Sequence, residues 1–246
     1  MEVVYGFTFN NHHCTDFGII MKSKNRQLLP EPNDTYIQPP GRQGSVLYAH
    51  GLQDRIIEID CAYIETSLPD IRSKARKIAA WLYTRDRVIL SFDDEPDIYY
   101  RCKLASKVDF EHIAKIAKFT LIFRCEPLAY GGEENQTFVG DSAAVDNQGT
   151  LETFPRFMAT FINTVGEWKV ANQDGDYIKI VHDFEIGDTL EVNCQTGAIL
   201  INDTRALDKL DWQNSRFFSL RAHENTLSIT PTIRCNTTVY WTPSYL

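Results

Sequence analysis

The sequence predicts a mainly β protein of two domains: an N-terminal β-sandwich-like domain with one α-helix and an extended arm, and a C-terminal β-sandwich or jelly roll. Three observations carry this reading. Apolar and polar residues alternate again and again, as in Phe119-Thr120-Leu121-Ile122-Phe123-Arg124-Cys125, which is the period of a strand with one buried face. Only one segment has helical spacing. A polar, glycine-punctuated stretch then divides the 246 residues into two halves of ordinary domain size. The expected boundaries are 1–130, a linker at 131–148, and 149–246.

In chain order, Gly6-Phe7-Thr8-Phe9-Asn10-Asn11 reads as an opening hairpin, with Asn tolerating the left-handed turn conformation. Asp16-Phe17-Gly18-Ile19 follows, then a long extended, proline-containing stretch from Leu28 to Gln53, and then a strand at Arg55-Ile56-Ile57-Glu58-Ile59. The helix is expected over about 68–84. Ser67-Leu68-Pro69-Asp70 supplies an N-cap, an early proline and an acid three residues after the cap. Ile71, Ala75, Ile78 and Leu82 then form one stripe, while Arg72, Ser73, Lys74, Arg76 and Lys77 cover the other faces. The basic residues do not extend beyond this helix, so they read as a solvated face rather than a phosphate site. Val88–Phe92 and Tyr99–Leu104 flank Asp93-Asp94-Glu95-Pro96-Asp97, a hairpin whose acidic tip is turn chemistry.

The stretch GGEENQTFVGDSAAVDNQG is small and polar, with at most a short strand at Thr137-Phe138-Val139, hence the linker. Beyond it, turn signals at Gly166, Asp174-Gly175, Gly187-Asp188 and Gly197 are about ten residues apart, the spacing of a sandwich. Between them Leu190, Val192 and Cys194 alternate with Thr189, Glu191 and Asn193, and Thr237–Trp241 reads as the last strand.

Bulk properties narrow the function classes. Hydrophobic residues make up 43% and charged residues 24%, an ordinary globular balance. No run of eighteen apolar residues exists, so no membrane span is expected, and the N-terminus lacks the pattern of a signal peptide. Net charge is −8, which argues against nucleic-acid binding driven by counterion release. The six cysteines are scattered without a C-x-x-C pair, so buried free thiols are expected rather than zinc or a disulfide framework.

Chemistry has little to build on. There is no G-x-S-x-G elbow, P-loop, G-x-G-x-x-G or H-E-x-x-H. His12-His13-Cys14 is the densest cluster of potential ligands, but adjacent strand side chains point to opposite faces. Asn172-Gln173-Asp174-Gly175-Asp176 lacks the spaced carboxylates of a calcium loop. No catalytic residue, cofactor site or metal site is expected. His223-Glu224-Asn225 has the H-x-N spacing seen in galectins but is followed by Thr226-Leu227 instead of Pro-Arg. Trp168, Trp212 and Trp241 are available for sugar stacking, although tryptophan in a sandwich is more often core.

The order of features resembles the siphophage (long, non-contractile tail) distal tail protein family. The signatures are the opening hairpin, Asp16-Phe17-Gly18-Ile19, Pro40-Gly41-Arg42-Gln43-Gly44, the single helix ending Ala80-Trp81-Leu82, Leu90-Ser91-Phe92-Asp93-Asp94, Tyr99-Tyr100, and the strand running into Glu126-Pro127. In the second half Asn147-x-Gly149, Phe154-Pro155, Gly187-Asp188 and Thr196-Gly197 fall in the expected order. The resemblance implies a galectin-like C-terminal domain and a homo-hexameric ring at the virion tail tip, assembled in the bacterial host cytoplasm. One face would continue the tail tube, bound to the major tail tube protein, and the other would receive the tail-associated tip protein. The outer domains would carry a receptor-binding protein, DNA would pass through the channel without specific binding, and no enzymatic activity is implied.

The long extended segment has backbone that it cannot easily satisfy alone. Pro30 to Gly44 is therefore expected to form an arm against a neighbouring subunit, with Pro39, Pro40, Gly41, Arg42 and Gly44 as the candidate interface residues. The alternative from another class is a carbohydrate-binding module recognising host wall glycan through the C-terminal sandwich, and a third reading is a hydrolase of the phage tip.

Overall fold

The computed structural model describes residues 6–64, 71–106 and 116–246. Contacts divide the chain into two compact units, one running to Tyr130 and the other Gly131–Tyr245.

In the N-terminal unit, β1 (Phe7–Phe9), β2 (His12–His13), β3 (Ile19–Arg26), β4 (Thr35–Ile37), β5 (Val46–Ala49) and β6 (Arg55–Ile64) precede the helix α1 (Ile71–Leu82). After it come β7 (Val88–Phe92), β8 (Glu95–Leu104), β9 (Ile116–Cys125) and β10 (Ala129–Tyr130). The main sheet has the order β2-β1-β7-β8-β9-β6-β3, and all of its pairings are antiparallel. Its buried face gathers Phe7, Phe9, Ile57, Ile59, Leu90, Leu121 and Phe123 at strand-alternating positions. Asn10 and Asn11 have φ of 49° and 62°, the left-handed pair that a two-residue hairpin turn demands.

The helical stripe is realised at Ala75, Ile78 and Leu82, all buried, with Arg76 and Lys77 exposed. Ser67–Asp70, read as its cap, and the side chains of residues 71–74 lie outside the described residues. The β7–β8 connection is tighter than the sequence suggests. Only Asp93 and Asp94 form the turn, and β8 begins at Glu95. The register jumps from Ser91↔Tyr99 to Phe92↔Glu95, so residues 96–98 bulge out, a place where Pro96 loses no ladder hydrogen bond.

In the C-terminal unit, β11 (Glu134–Thr137), β12 (Ser142–Asn147), β13 (Arg156–Phe161), β14 (Val165–Asn172), β15 (Tyr177–Phe184), β16 (Thr189–Asn193), β17 (Ala198–Ile201), β18 (Thr204–Arg205), β19 (His223–Thr230) and β20 (Cys235–Trp241) form two antiparallel sheets. Their orders are β11-β20-β13-β16-β17-β18 and β12-β19-β14-β15. Trp168, Phe157, Phe161, Phe184, Val170, Ile178, Val192, Leu227 and Val239 fill the space between them, each essentially without solvent exposure.

Two expectations are corrected here. Residues 131–148 are not a linker: β11 pairs with β20 over Glu134–Thr137, and β12 pairs with β19 over Ser142–Asn147. Polar composition hid the alternation, because the inward residues Ala143, Val145 and Asn147 are small or polar. Gly166 is not a turn; it lies inside β14 at a bulge between Val165 and Glu167, the other common use of a strand glycine. The turns at Gly175, Gly187 and Gly197 do occur, with φ of 88°, 94° and 69°. All six cysteines are buried free thiols, as expected. No described helix is long and apolar enough to cross a membrane.

Candidate assembly surface

The segment between β3 and β6 is a ribbon rather than a single extended arm. Among the described residues β4 and β5 pair only with each other. Below them the ribbon is held by backbone bonds from Asn33 N–H to the Gly51 carbonyl (2.8 Å) and from Gln53 N–H to the Glu31 carbonyl (2.8 Å). A two-stranded ribbon has no core of its own. Tyr36 (60%), Leu47 (48%) and Tyr48 (74%) are accordingly exposed, together with Ile37, and Leu28 at the root is 93% exposed. Exposed apolar residues are thus concentrated on this short ribbon.

The five sequence-predicted residues fall together at the ribbon's tip. Pro39 is half-buried, while Pro40, Gly41, Arg42 and Gly44 are exposed. Arg42 donates its backbone N–H to the Pro39 carbonyl at 3.3 Å. Gly41 and Gly44 have φ of 78° and 83°, which favours glycine at both positions. The Arg42 side chain has no ion-pair partner among the described residues.

The root is built differently, from charge. Arg55, at the start of β6, is buried and donates from Nη1 to the Gln27 carbonyl (2.9 Å) and from Nε to the Pro127 carbonyl (3.1 Å). It thereby pins both ends of the ribbon, since Gln27 follows β3 and Arg55 opens β6. Asp54 next to it accepts from Arg87 (2.8 Å) and pairs with Arg124 (3.4 Å). Halfway up, His50 Nδ1 lies 2.6 Å from Asp34 Oδ1, and this hydrogen bond holds the Asp34 carboxyl below its usual range. Sequence reasoning missed Arg55, because one arginine opening an apolar strand carries no pattern.

The other flagged clusters are occupied by local structure. His12 packs edge-on to Phe17, while His13 caps the 3-10 turn Cys14–Phe17 and lies 3.2 Å from Asp93. Asn172 Oδ1 accepts the N–H groups of Asp174 and Asp176, both at 3.0 Å, and so closes the β14–β15 turn. In the His223-x-Asn225 motif, Asn225 is buried; it donates to the carbonyls of Arg221 and His223 and accepts from Arg221 N–H. Trp168 and Trp241 are core, and Trp212 is 64% exposed. No cluster of metal-ligating residues occurs among the described residues.

Comparison with known proteins places both units. Residues 12–125 match the phage tail protein RIFT-related domain, and residues 148–245 match the siphovirus-type tail component, C-terminal domain. The distal tail protein of Bacillus phage SPP1 is 24% identical over 223 residues, covering 86% of this chain and 87% of that protein. The crystal structure of SPP1 Dit, described as a paradigm of the hub adsorption apparatus in phages infecting Gram-positive bacteria, superposes with a TM-score of 0.84 at 21% identity. That match covers 99% of this chain and 100% of the other. A chain of the phage p2 baseplate in its activated conformation with Sr has the same overall fold at a TM-score of 0.51 and 10% identity, covering 96% and 97% of the two chains. With two tail-protein domains in succession spanning most of its length, the chain belongs to the siphovirus distal tail protein family.

Proposed function

We propose that this protein is a structural hub of a siphovirus tail tip, a homo-hexameric ring whose N-terminal units close around a central channel. The observation that carries the ring is the β4–β5 ribbon, which exposes Tyr36, Ile37, Leu47 and Tyr48 and, among the described residues, is anchored to its own unit at the root. Ordering such a ribbon needs a surface to cover it, and a head-to-tail contact between identical copies that closes on itself provides one at every position. Arg42, exposed at the tip, supplies a cation for an acidic group on the neighbour.

In this reading one face of the ring joins the major tail tube protein and the other the tail-associated tip protein. The C-terminal sandwiches, galectin-like in fold, hold the receptor-binding protein at the virion tail tip after assembly in the host cytoplasm. Net charge of −8 lets DNA pass without being retained. The role is architectural rather than catalytic; kinship with a distal tail protein supports this. Replacing residues 35–49 with a two-residue Asn-Gly turn tests the ribbon directly. A folded monomer is the expected product, and a hexamer that survives the replacement overturns the assignment.

A further inference from the structure

The N-terminal sheet is two blocks, β2-β1-β7-β8 and β9-β6-β3, meeting at the β8–β9 seam. The seam is short: Cys102↔Cys125, Lys103↔Arg124 and Leu104↔Phe123 are its register pairs, whereas β6 and β9 pair along the whole of Arg55–Ile64. Cys102 and Cys125 therefore face each other across the short join between the two blocks.

Their geometry suits a covalent bond. Glu126 donates its N–H to the Arg101 carbonyl (2.9 Å), and Ala105 donates to the Ile122 carbonyl (2.7 Å). These bonds mark 101/126 and 105/122 as hydrogen-bonded positions, so the alternation of an antiparallel ladder makes Cys102/Cys125 a non-hydrogen-bonded pair. Such pairs bring Cα atoms to about 4.5 Å, inside the roughly 4.4–6.8 Å that a disulfide spans. Both residues are fully buried free cysteines, and their side chains interact.

We propose that Cys102 and Cys125 form a redox-sensitive latch, two thiols in reducing surroundings and a cross-strand disulfide when a small peroxide oxidant reaches them. One sulfur attacks a peroxide oxygen; the O–O bond breaks, giving a sulfenic acid and water. The second thiol's sulfur then attacks the sulfenic sulfur, the S–S bond forms, the S–O bond breaks, and a second water leaves with the remaining proton. Two thiols and one hydrogen peroxide thus give one disulfide and two waters. Burial, reinforced by contact with the Cys125 thiol, raises the Cys102 thiol far above its usual range. A protonated thiol is a poor nucleophile, so closure is slow in the intact sheet and faster when the seam opens. Once closed, the bond clamps the two blocks together. The latch does not depend on the hub reading.

The test uses the full chain exposed to hydrogen peroxide, with and without urea below the unfolding transition, then quenched and alkylated in denaturant. The expected result is four alkylated cysteines instead of six, a mass lower by about 2 Da before alkylation, and a peptide linking Cys102 to Cys125. Urea should speed closure several-fold, and the oxidised protein should melt several degrees higher. Cys102→Ala and Cys125→Ala should each keep their five remaining thiols; the wild-type peptide map stands even if either variant misfolds. Six thiols persisting in urea, a link to another cysteine, sulfinic acid as the product, or a disulfide that leaves the melting temperature unchanged would overturn the latch.

Discussion

Trp81, in the last turn of α1, donates its indole N–H to the main-chain carbonyl of Phe9 at 2.7 Å. The same indole stacks on Phe17 with ring centroids 4.4 Å apart and touches Phe7 and Phe9. One side chain thus ties the helix to the opening hairpin. Trp81→Phe keeps most of the packing but removes this hydrogen bond to a carbonyl already paired in the hairpin ladder, and should cost about 0.5–1.5 kcal/mol. Trp81→Ala should cost about 3–5 kcal/mol by adding a cavity. Urea denaturation of the full chain measures both, with the larger loss in the alanine variant.

Asn147 holds a corner of the C-terminal unit. It is fully buried, donates from Nδ2 to the carbonyls of Leu151 (2.9 Å) and Arg221 (3.2 Å), and accepts from Gly149 N–H (3.1 Å). Asn147→Ala should destabilise the unit by about 2–3 kcal/mol, because buried partners lose their hydrogen bonds. Gly149 admits no side chain either: a Cβ there would lie 2.6 Å from the Ser244 carbonyl oxygen. Gly149→Ala should therefore lower the melting temperature even though alanine alters no polar group.

Ile233 is a β-branched residue at φ 60° and 72% exposed. The left-handed region costs such a residue about 1–2 kcal/mol, and asparagine tolerates it better. Ile233→Asn should stabilise the protein by up to about 1 kcal/mol. A drop in stability would mean that the isoleucine side chain contributes packing outweighing its backbone strain.

Asp188 gives the acid limb of stability a handle. Asn202 Nδ2 and the Glu185 N–H both donate to its carboxylate at 2.8 Å, and they hold it below the usual carboxylate range. A carboxyl depressed in the folded state stabilises fully above its unfolded pKa and loses that contribution as pH falls through the folded value. Stability of the C-terminal unit should thus fall with acid from about pH 4 downward. Asp188→Asn should be less stable at neutral pH and show a shallower acid limb in pH-dependent thermal melts.

Much of this architecture was legible from the residues, for physical reasons that differ by element. Asn10-Asn11, the Ala75-Ile78-Leu82 stripe and the alternation at Leu190 and Val192 are local signals, and the structure repeats them. Residues 131–148 misled, because strands whose inward positions are Ala143 and Asn147 look like linker, and only pairing with β19 and β20 makes them strands. Gly166 signalled a backbone irregularity correctly but not whether it was a turn or a bulge. At the ribbon, the proline and glycine positions of the tip were readable. Its root was not, because Arg55 acts through the carbonyls of Gln27 and Pro127, which are distant in sequence. Likewise, Cys102 and Cys125 read only as scattered cysteines until the sheet register set them opposite each other.

The most direct test of the central claim is the solution mass of the full chain by light scattering, with electron micrographs of the same peak, alone and mixed with the tail tube protein of the same phage. The hub account predicts a particle of six chains with a central hole, formed alone or on the tube protein. A strict monomer under both conditions, at every concentration tried, would contradict it.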